Sequence, residues 1–168
     1  MKSRILAAPM LGALFLGLFG ATASADSLSH GDLALSGSYV RAMPPNAPAA
    51  GGYVTIANKG SQDDRLVAAR SPRAGAVQIH EMTMKGDVMK MRERPDGLPV
   101  PAGGSVELKP GGYHLMFMQV PTPFTEGETV ETTLVFEKAG EITLPFEVRA
   151  MSAAPAAHQG HASDHSGH

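Results

Sequence analysis

Short segments of alternating apolar and polar residues, separated by proline- and glycine-rich turns, run through most of this chain. They recur at about ten-residue spacing, and no stretch keeps the period of an amphipathic helix. The clearest hairpin joins residues 129–136 to residues 141–148. This pattern predicts eight or nine short strands in an all-β fold, an antiparallel sandwich or Greek-key barrel.

The two ends of the chain differ in composition from the middle. Residues 1–25 combine a basic start, an apolar run and an Ala-x-Ala cleavage site, which together are typical of a signal peptide. Residues 26–150 are expected to form one β domain. Residues 151–168 are rich in Ala, Ser, Gly and His and are predicted to be a disordered tail. We expect an exported protein that does not span a membrane after cleavage.

Charge and cysteine content exclude several classes of function. Removal of Lys2 and Arg4 from the 14 basic residues leaves 12 against 16 acidic ones, a net charge of about −4 that does not favour nucleic acid. The chain contains no cysteine, which excludes thiol nucleophiles, CxxC redox pairs, iron–sulfur clusters and blue-copper sites. A metal ion would have to be held by His, Met or carboxylate side chains.

Known catalytic motifs are missing from the sequence. There is no Gly-x-Ser-x-Gly elbow, no His-Glu-x-x-His helix and no carboxylate pair beside an apolar run. A copper oxidase with an N-terminal histidine brace would need histidine where the predicted cleavage leaves Asp26. We therefore predict that the protein is not an enzyme.

Histidine and methionine are concentrated in residues 77–92, VQIHEMTMKGDVMKMR. Alternation along a strand gives this run one face made largely of these two residue types. The residues of that face are His80, Met82, Met84, Met89 and Met91. A two-residue loop at Lys85-Gly86 would form a hairpin in which His80 pairs with Met91 and Met82 with Met89. We expect a protruding hairpin that binds a metal ion.

A second group of the same kind follows in residues 113–120, where His114 and Met116 alternate with Leu115 and Phe117. We expect the two apolar side chains in the core and the other two facing the hairpin. Thioethers are soft ligands that prefer Cu(I) to Mg²⁺, Ca²⁺ or Zn²⁺, and imidazole adds affinity. Histidine and methionine without cysteine therefore indicate a Cu(I) site suited to reversible transfer.

Methionine is also a common core residue, which leaves a second interpretation open. The chain could be a β-sandwich interaction module with a methionine-rich core and a nonspecific metal-binding tail. Alternation along a strand looks the same whether the methionine face packs into the core or binds a metal ion. The two interpretations differ in whether the domain without its tail binds Cu(I).

The arrangement of His80, Met91 after ten residues and then His114-x-Met116 resembles the motif of the periplasmic copper chaperone A (PCuAC) family. The resemblance covers residues 33–148. It implies a cupredoxin-like β-barrel in which His80, Met91, His114 and Met116 bind one Cu(I) ion. The 22 residues between Met91 and His114 are one more than in the family's pattern, so Met82 or Met89 could take the place of Met91.

The resemblance also has implications for the tail and for partners. It implies a periplasmic protein that delivers copper to the binuclear copper centre of cytochrome c oxidase, through subunit II or another copper-assembly chaperone. Family members with His/Met-rich extensions are associated with Cu(II) binding there. Imidazoles bind Cu(II) among other divalent ions. The corresponding tail residues here are His158, His161, His165 and His168.

Overall fold

The computed structural model describes residues 27–151. These residues form eleven β-strands, and none of them belongs to a helix long and apolar enough to cross a membrane. The strands are β1 (Ser27–His30), β2 (Leu33–Arg41), β3 (Ala49–Asn58), β4 (Asp64–Arg70), β5 (Ala76–Lys85), β6 (Val88–Glu93), β7 (Leu98–Val100), β8 (Ser105–Leu108), β9 (Tyr113–Met118), β10 (Thr129–Phe136) and β11 (Gly140–Arg149). The predicted signal peptide and the predicted tail after Met151 lie outside the described residues.

The strands form one sheet that closes into a ring. From β5 the order runs through β9, β3, β2, β11, β10 and β4, and β4 pairs with β5 again where Ala69 lies opposite Val77. The first half of β3 pairs with β9 and the second half with β8. Strands β1, β6 and β7 extend the ring, each pairing with one neighbour. The prediction of an all-β fold is confirmed.

The sheet is mixed, so the prediction of a wholly antiparallel arrangement is wrong. Strands β2 and β11 run parallel, with Tyr39 opposite Glu147, and β8 meets β9 in parallel at Leu108 and Tyr113. Nearly the whole domain connects β2 to β11, in keeping with the long connection that parallel strands need. Residues 109–112 alone connect β8 to β9, which share a single pair. Alternation within a strand carries no information about the direction of its neighbour.

Strand β9 is held in position by the core. Its Phe117 ring packs against Phe124 and Phe146, with ring centroids 5.7 Å and 6.2 Å away. A Cβ atom added at Gly52 of β3 would lie 2.5 Å from Cε2 of Phe117, so glycine is what allows the ring to pack against this strand. Leu115 and Phe117 are fully buried, as expected. The intervening residues of β9 therefore lie on the outer face of the sheet.

The hairpin of β5 and β6 extends beyond the ring. Strand β6 pairs only with β5, and all six of its residues are exposed. On its other edge β5 pairs with β9 over six consecutive positions. The hairpin thus protrudes, as the sequence predicts, while its base is fixed to the strand that carries His114.

Candidate metal site

The hairpin turn lies one residue further along the chain than predicted, so every predicted cross-strand pair changes. The loop residues are Gly86 and Asp87, since Lys85 pairs with Val88. Gly86 has φ 64°, the positive angle required at the first central position of a type II′ turn. A glycine at that position favours Gly-Asp over Lys-Gly as the loop.

The predicted pairing of His80 with Met91 is therefore wrong. His80 lies opposite Glu93, Met82 opposite Met91, and Met84 opposite Met89. The shift is by two residues, so every side chain keeps its predicted face. The hairpin presents two cross-strand methionine pairs in place of one histidine–methionine pair.

The two strand histidines lie directly opposite each other on β5 and β9. His80 pairs with His114, their ring centroids are 5.7 Å apart, and both side chains are buried. Gln78 pairs with Met116 in the same register. The expected approach of the hairpin to His114 is thus present, and it is made by His80.

Hydrogen bonds assign a proton to one nitrogen of each ring. Nδ1 of His114 lies 3.1 Å from the carbonyl oxygen of Gly112, which can only accept, so Nδ1 donates and Nε2 keeps the lone pair. Nε2 of His80 donates to Oε1 of Gln78 at 3.0 Å, which leaves the lone pair on Nδ1. That Nδ1 atom is buried and has no hydrogen-bond partner. Metal-binding histidines commonly donate their second ring N–H to an oxygen in this way.

Gln78 is a residue of the site that the sequence analysis did not identify. The period of a strand does place Gln78 near His80, because Gln78 precedes His80 by two residues and therefore lies on the same face. Glutamine is not a soft metal ligand, so residue type alone does not identify Gln78 as part of the site. Its amide sets the His80 tautomer.

The thioethers and His114 line a cleft of about 400 Å³ on the outer face of the sheet. It is lined by Met82, Met91, His114 and Met116 together with Arg41, Pro48, Tyr53, Pro110 and Gly111. Gly51 lies opposite Met116, and a Cβ atom added there would lie 2.8 Å from the Tyr53 hydroxyl. The Tyr53 side chain therefore folds over β3 beside the methionines, which explains why this outer face is partly covered.

Burial affects the ionisation of His80. Desolvation holds the pKa of His80 below its ordinary value, the neighbouring His114 lowers it further, and the carboxylate of Glu93 opposes both effects. His80 is therefore neutral near pH 7, the form in which imidazole binds metal ions.

A metal site in this part of the chain with three or more side-chain ligands needs donors besides histidine and carboxylate. Among residues 27–151, no three His, Cys, Asp or Glu side chains cluster closely enough to hold a metal ion. The carboxylate of Asp64, which lines a different cleft, already accepts backbone N–H groups from Arg65, Lys138 and Ala139. In the same part of the chain, His80 lies beside His114, and His114 lines a cleft together with three thioethers.

Comparison of the sequence with known families and proteins gives a consistent result. Residues 33–148 match the family described as "LpqE-like: Putative lipoprotein LpqE-like". "Putative lipoprotein Lxx21020" of Leifsonia xyli subsp. xyli (strain CTCB07) is 31% identical over 158 residues, which cover 90% of this chain and 94% of that protein.

Solved structures with this fold include copper-bound domains. The chain is similar to the copper-bound PCuAC domain from PmoF2, with 27% identity and a TM-score of 0.63 over 74% of this chain and 98% of that domain. It is also similar to CuI-DR1885 from Deinococcus radiodurans, with 31% identity and a TM-score of 0.57 over 76% of this chain and 83% of that protein. The family match, the identity to the Leifsonia protein and the shared fold lead to one conclusion: this chain belongs to the PCuAC/LpqE-like family.

Proposed function

We propose that this protein is an exported copper chaperone that binds one Cu(I) ion through His80, Met91, His114 and Met116. The observation that supports this most is the buried His80–His114 pair, in which each ring keeps one nitrogen lone pair and His114 lines the methionine-rich cleft. Met82 lies directly opposite Met91 and provides a further thioether at the same level of the hairpin. Met89 lies two residues nearer the turn than Met91, on the same face of the hairpin.

The donor set selects the metal by its softness. Thioethers bind Cu(I) in preference to hard or borderline divalent ions, and neutral imidazole accepts Cu(I) as well. None of the four proposed ligands carries a negative charge, so the bound ion keeps its positive charge and is held less tightly than by thiolates. These properties suit a carrier that releases its ion, and they do not require the protein to catalyse a reaction.

The similarity to known proteins supports the same function. The PmoF2 domain is described as copper-bound and DR1885 as carrying CuI, and both share the fold of this chain. Two of the proposed ligands lie on β9 and two on the adjoining hairpin, so the shared fold is what brings them together. The predicted signal peptide and the relatives described as lipoproteins support a periplasmic location.

The alternative with a methionine-rich core has less support. Of the methionines in residues 27–151, only Met43 belongs to the buried core. Met84, Met89 and Met91 are each at least half exposed. Methionines that filled the core would be buried, whereas these three side chains are exposed to solvent.

Competition with a chromogenic Cu(I) chelator tests the Cu(I) site. We expect Met116→Leu to weaken Cu(I) binding by about tenfold or more, equivalent to about 1.4 kcal/mol. Leucine has a similar volume, so the free energy of unfolding of the apo protein should change by less than about 1.5 kcal/mol. Met118→Leu is the matched control, because Met118 lies two residues further along the same strand and does not line the cleft. Equal Cu(I) affinities for the two variants would contradict the proposal.

The proposed Cu(II) site is in the tail, at His158, His161, His165 and His168, which lie outside the described residues. Deletion of residues 151–168 should abolish Cu(II) binding, followed by equilibrium dialysis, and leave Cu(I) affinity unchanged. Cu(II) binding that survives the deletion would rule out this site.

The proposed recipient is the binuclear copper centre of cytochrome c oxidase subunit II, or another copper-assembly chaperone that serves it. A mixture of the Cu(I)-loaded protein with the copper-free soluble domain of subunit II should transfer copper, measured after separation by metal analysis of each protein. Transfer no faster than from a Cu(I)–chelator complex would argue against direct delivery.

A further inference from the structure

The hairpin carries more methionine than the proposed Cu(I) site uses. Met84 and Met89 form the cross-strand pair nearest the turn, and they are 63% and 51% exposed. Directly behind them on the same face comes the Met82–Met91 pair, and then His80 beside His114. We call the two methionine pairs the methionine ladder.

We propose that Met84 and Met89 form a second, weaker site for a soft monovalent cation, through which Cu(I) enters and leaves the site at the hairpin base. The inference rests on the proposed function, because it assumes a Cu(I) site at His80 and His114. It adds a binding site and a direction of movement along the methionine ladder.

The geometry of paired strands supports a stepwise path. Directly opposed residues have Cβ atoms about 5 Å apart, so two thioether side chains can reach a single ion between them. Successive pairs on one face are two residues apart, which is about 7 Å along the strand. From Met84–Met89 to His80 the ladder thus covers about 13 Å in two steps, each within reach of a flexible methionine side chain.

Strand preference does not explain this choice of residues. Exposed strand positions favour β-branched and aromatic side chains, and methionine is neither. The opposite face of the hairpin is polar, with Glu81 within 3.2 Å of Arg94 and 3.9 Å of Arg92. Polar residues would therefore serve equally well at Met84 and Met89 if only a soluble strand were needed.

The transfer is a ligand exchange without oxidation or reduction. The Cu–S bonds to Met84 and Met89 break as bonds to Met82 and Met91 form, and the ion remains Cu(I). All four thioethers are neutral, so the charge of the ion and its ligands does not change during the step. Exposed, uncharged donors at the turn would let a recipient approach the ion before it leaves the ladder.

Nuclear magnetic resonance of methionine methyl groups can test the second site. Protein labelled at the methionine Cε atoms is titrated with silver nitrate, because Ag(I) is a soft monovalent ion that does not change oxidation state. We expect the first equivalent to shift Met82, Met91 and Met116, and further Ag(I) to shift Met84 and Met89. Met118, which lies outside the hairpin and does not line the cleft, is the internal control and should not move.

The outcomes separate this inference from the proposed function. If Met82, Met91 and Met116 shift but Met84 and Met89 do not, or shift only together with Met118, the second site is refuted and the Cu(I) site stands. If Met82, Met91 and Met116 do not shift, the proposed Cu(I) site itself fails.

A double substitution, Met84→Leu with Met89→Leu, tests the path. Leucine keeps the apolar surface and removes the sulfur. We expect Cu(I) affinity at the base of the hairpin to stay within about twofold, less than about 0.4 kcal/mol, while capture of the ion by a chromogenic chelator slows several-fold in stopped-flow measurements. Met118→Leu should leave the rate unchanged. An unaltered rate in the double variant would refute transfer through these sulfur atoms and would show that only apolar surface is needed there.

Discussion

Two hairpins of this protein have similar alternating sequences and opposite environments. In the hairpin of β10 and β11, every second residue is buried in the core. Those residues are Val130, Thr132, Leu134, Phe136, Ile142, Leu144, Phe146 and Val148. The hairpin of β5 and β6 alternates as regularly, but its methionine face lies on the outside of the sheet and its β6 strand is exposed throughout.

The difference shows that alternation identifies a strand without identifying which face is buried. Residue type makes the distinction. Branched and aromatic side chains fill the core of β10 and β11, as strand packing favours. Flexible thioethers occupy the outer face of β5 and β6, where they can move to meet a metal ion. Of these two hairpins, β10–β11 contributes more to the core, and β5–β6 supplies the methionines of the proposed metal site.

The largest expected effect comes from removing a core side chain from the β10–β11 hairpin. Leu134→Ala should lower the free energy of unfolding by about 2–5 kcal/mol, because Leu134 is fully buried. Met89→Ala, in the exposed hairpin, should change it by less than about 0.5 kcal/mol. Urea denaturation of the two apo variants measures both values. A cost for Met89→Ala close to that of Leu134→Ala would remove the contrast between the hairpins.

A smaller loss of stability is expected at Gly52, where the core meets the metal site. Gly52→Ala would push a Cβ atom against Phe117 and should cost about 1–3 kcal/mol. Because Phe117 holds β9 in place, Cu(I) affinity should fall as well. Gly112→Ala is the control for stability, since a Cβ atom there has its nearest neighbour at 3.6 Å. Unchanged stability and affinity in Gly52→Ala would show that the site does not depend on this packing.

The smallest expected effect is the pH dependence that His80 introduces. Its pKa is lower in the folded protein than in the unfolded chain, so protonation favours unfolding. Its contribution to stability is complete above the unfolded-state pKa of about 6.5 and decreases as the pH falls from there to the depressed folded-state value. Between about pH 7.5 and pH 5.5, the wild type should lose more stability than His80→Gln. Equal losses would mean that His80 is not effectively desolvated.

Much of the fold followed from local patterns. Thr129–Phe136 was predicted with its observed bounds, and β11 differs from its predicted range by one residue at each end. Strand β7 was not anticipated, because Pro99 is unusual in a strand; it is tolerated here since β7 lies at an edge and pairs only with β4. The parallel pairing of β2 with β11 depends on ring closure, which no local pattern encodes.

The residues of the proposed metal site follow from the sequence, whereas their arrangement follows from it only in part. The faces of His80 and His114 follow from the period of a strand, and the structure places both histidines side by side. The cross-strand partner of His80 depends on which two residues form the turn, and that is decided by the backbone angle of Gly86. The roles of Gln78 and the Gly112 carbonyl are matters of three-dimensional contact that residue type alone does not reveal.

X-ray absorption spectroscopy of the Cu(I)-loaded protein without residues 151–168 tests the central claim most directly. The truncated chain retains all eleven described strands, and the measurement reports which elements coordinate the ion. We predict both nitrogen and sulfur neighbours, from the two histidines and the methionines of the cleft. A spectrum with only nitrogen and oxygen neighbours, or a protein that retains no copper, would contradict the account.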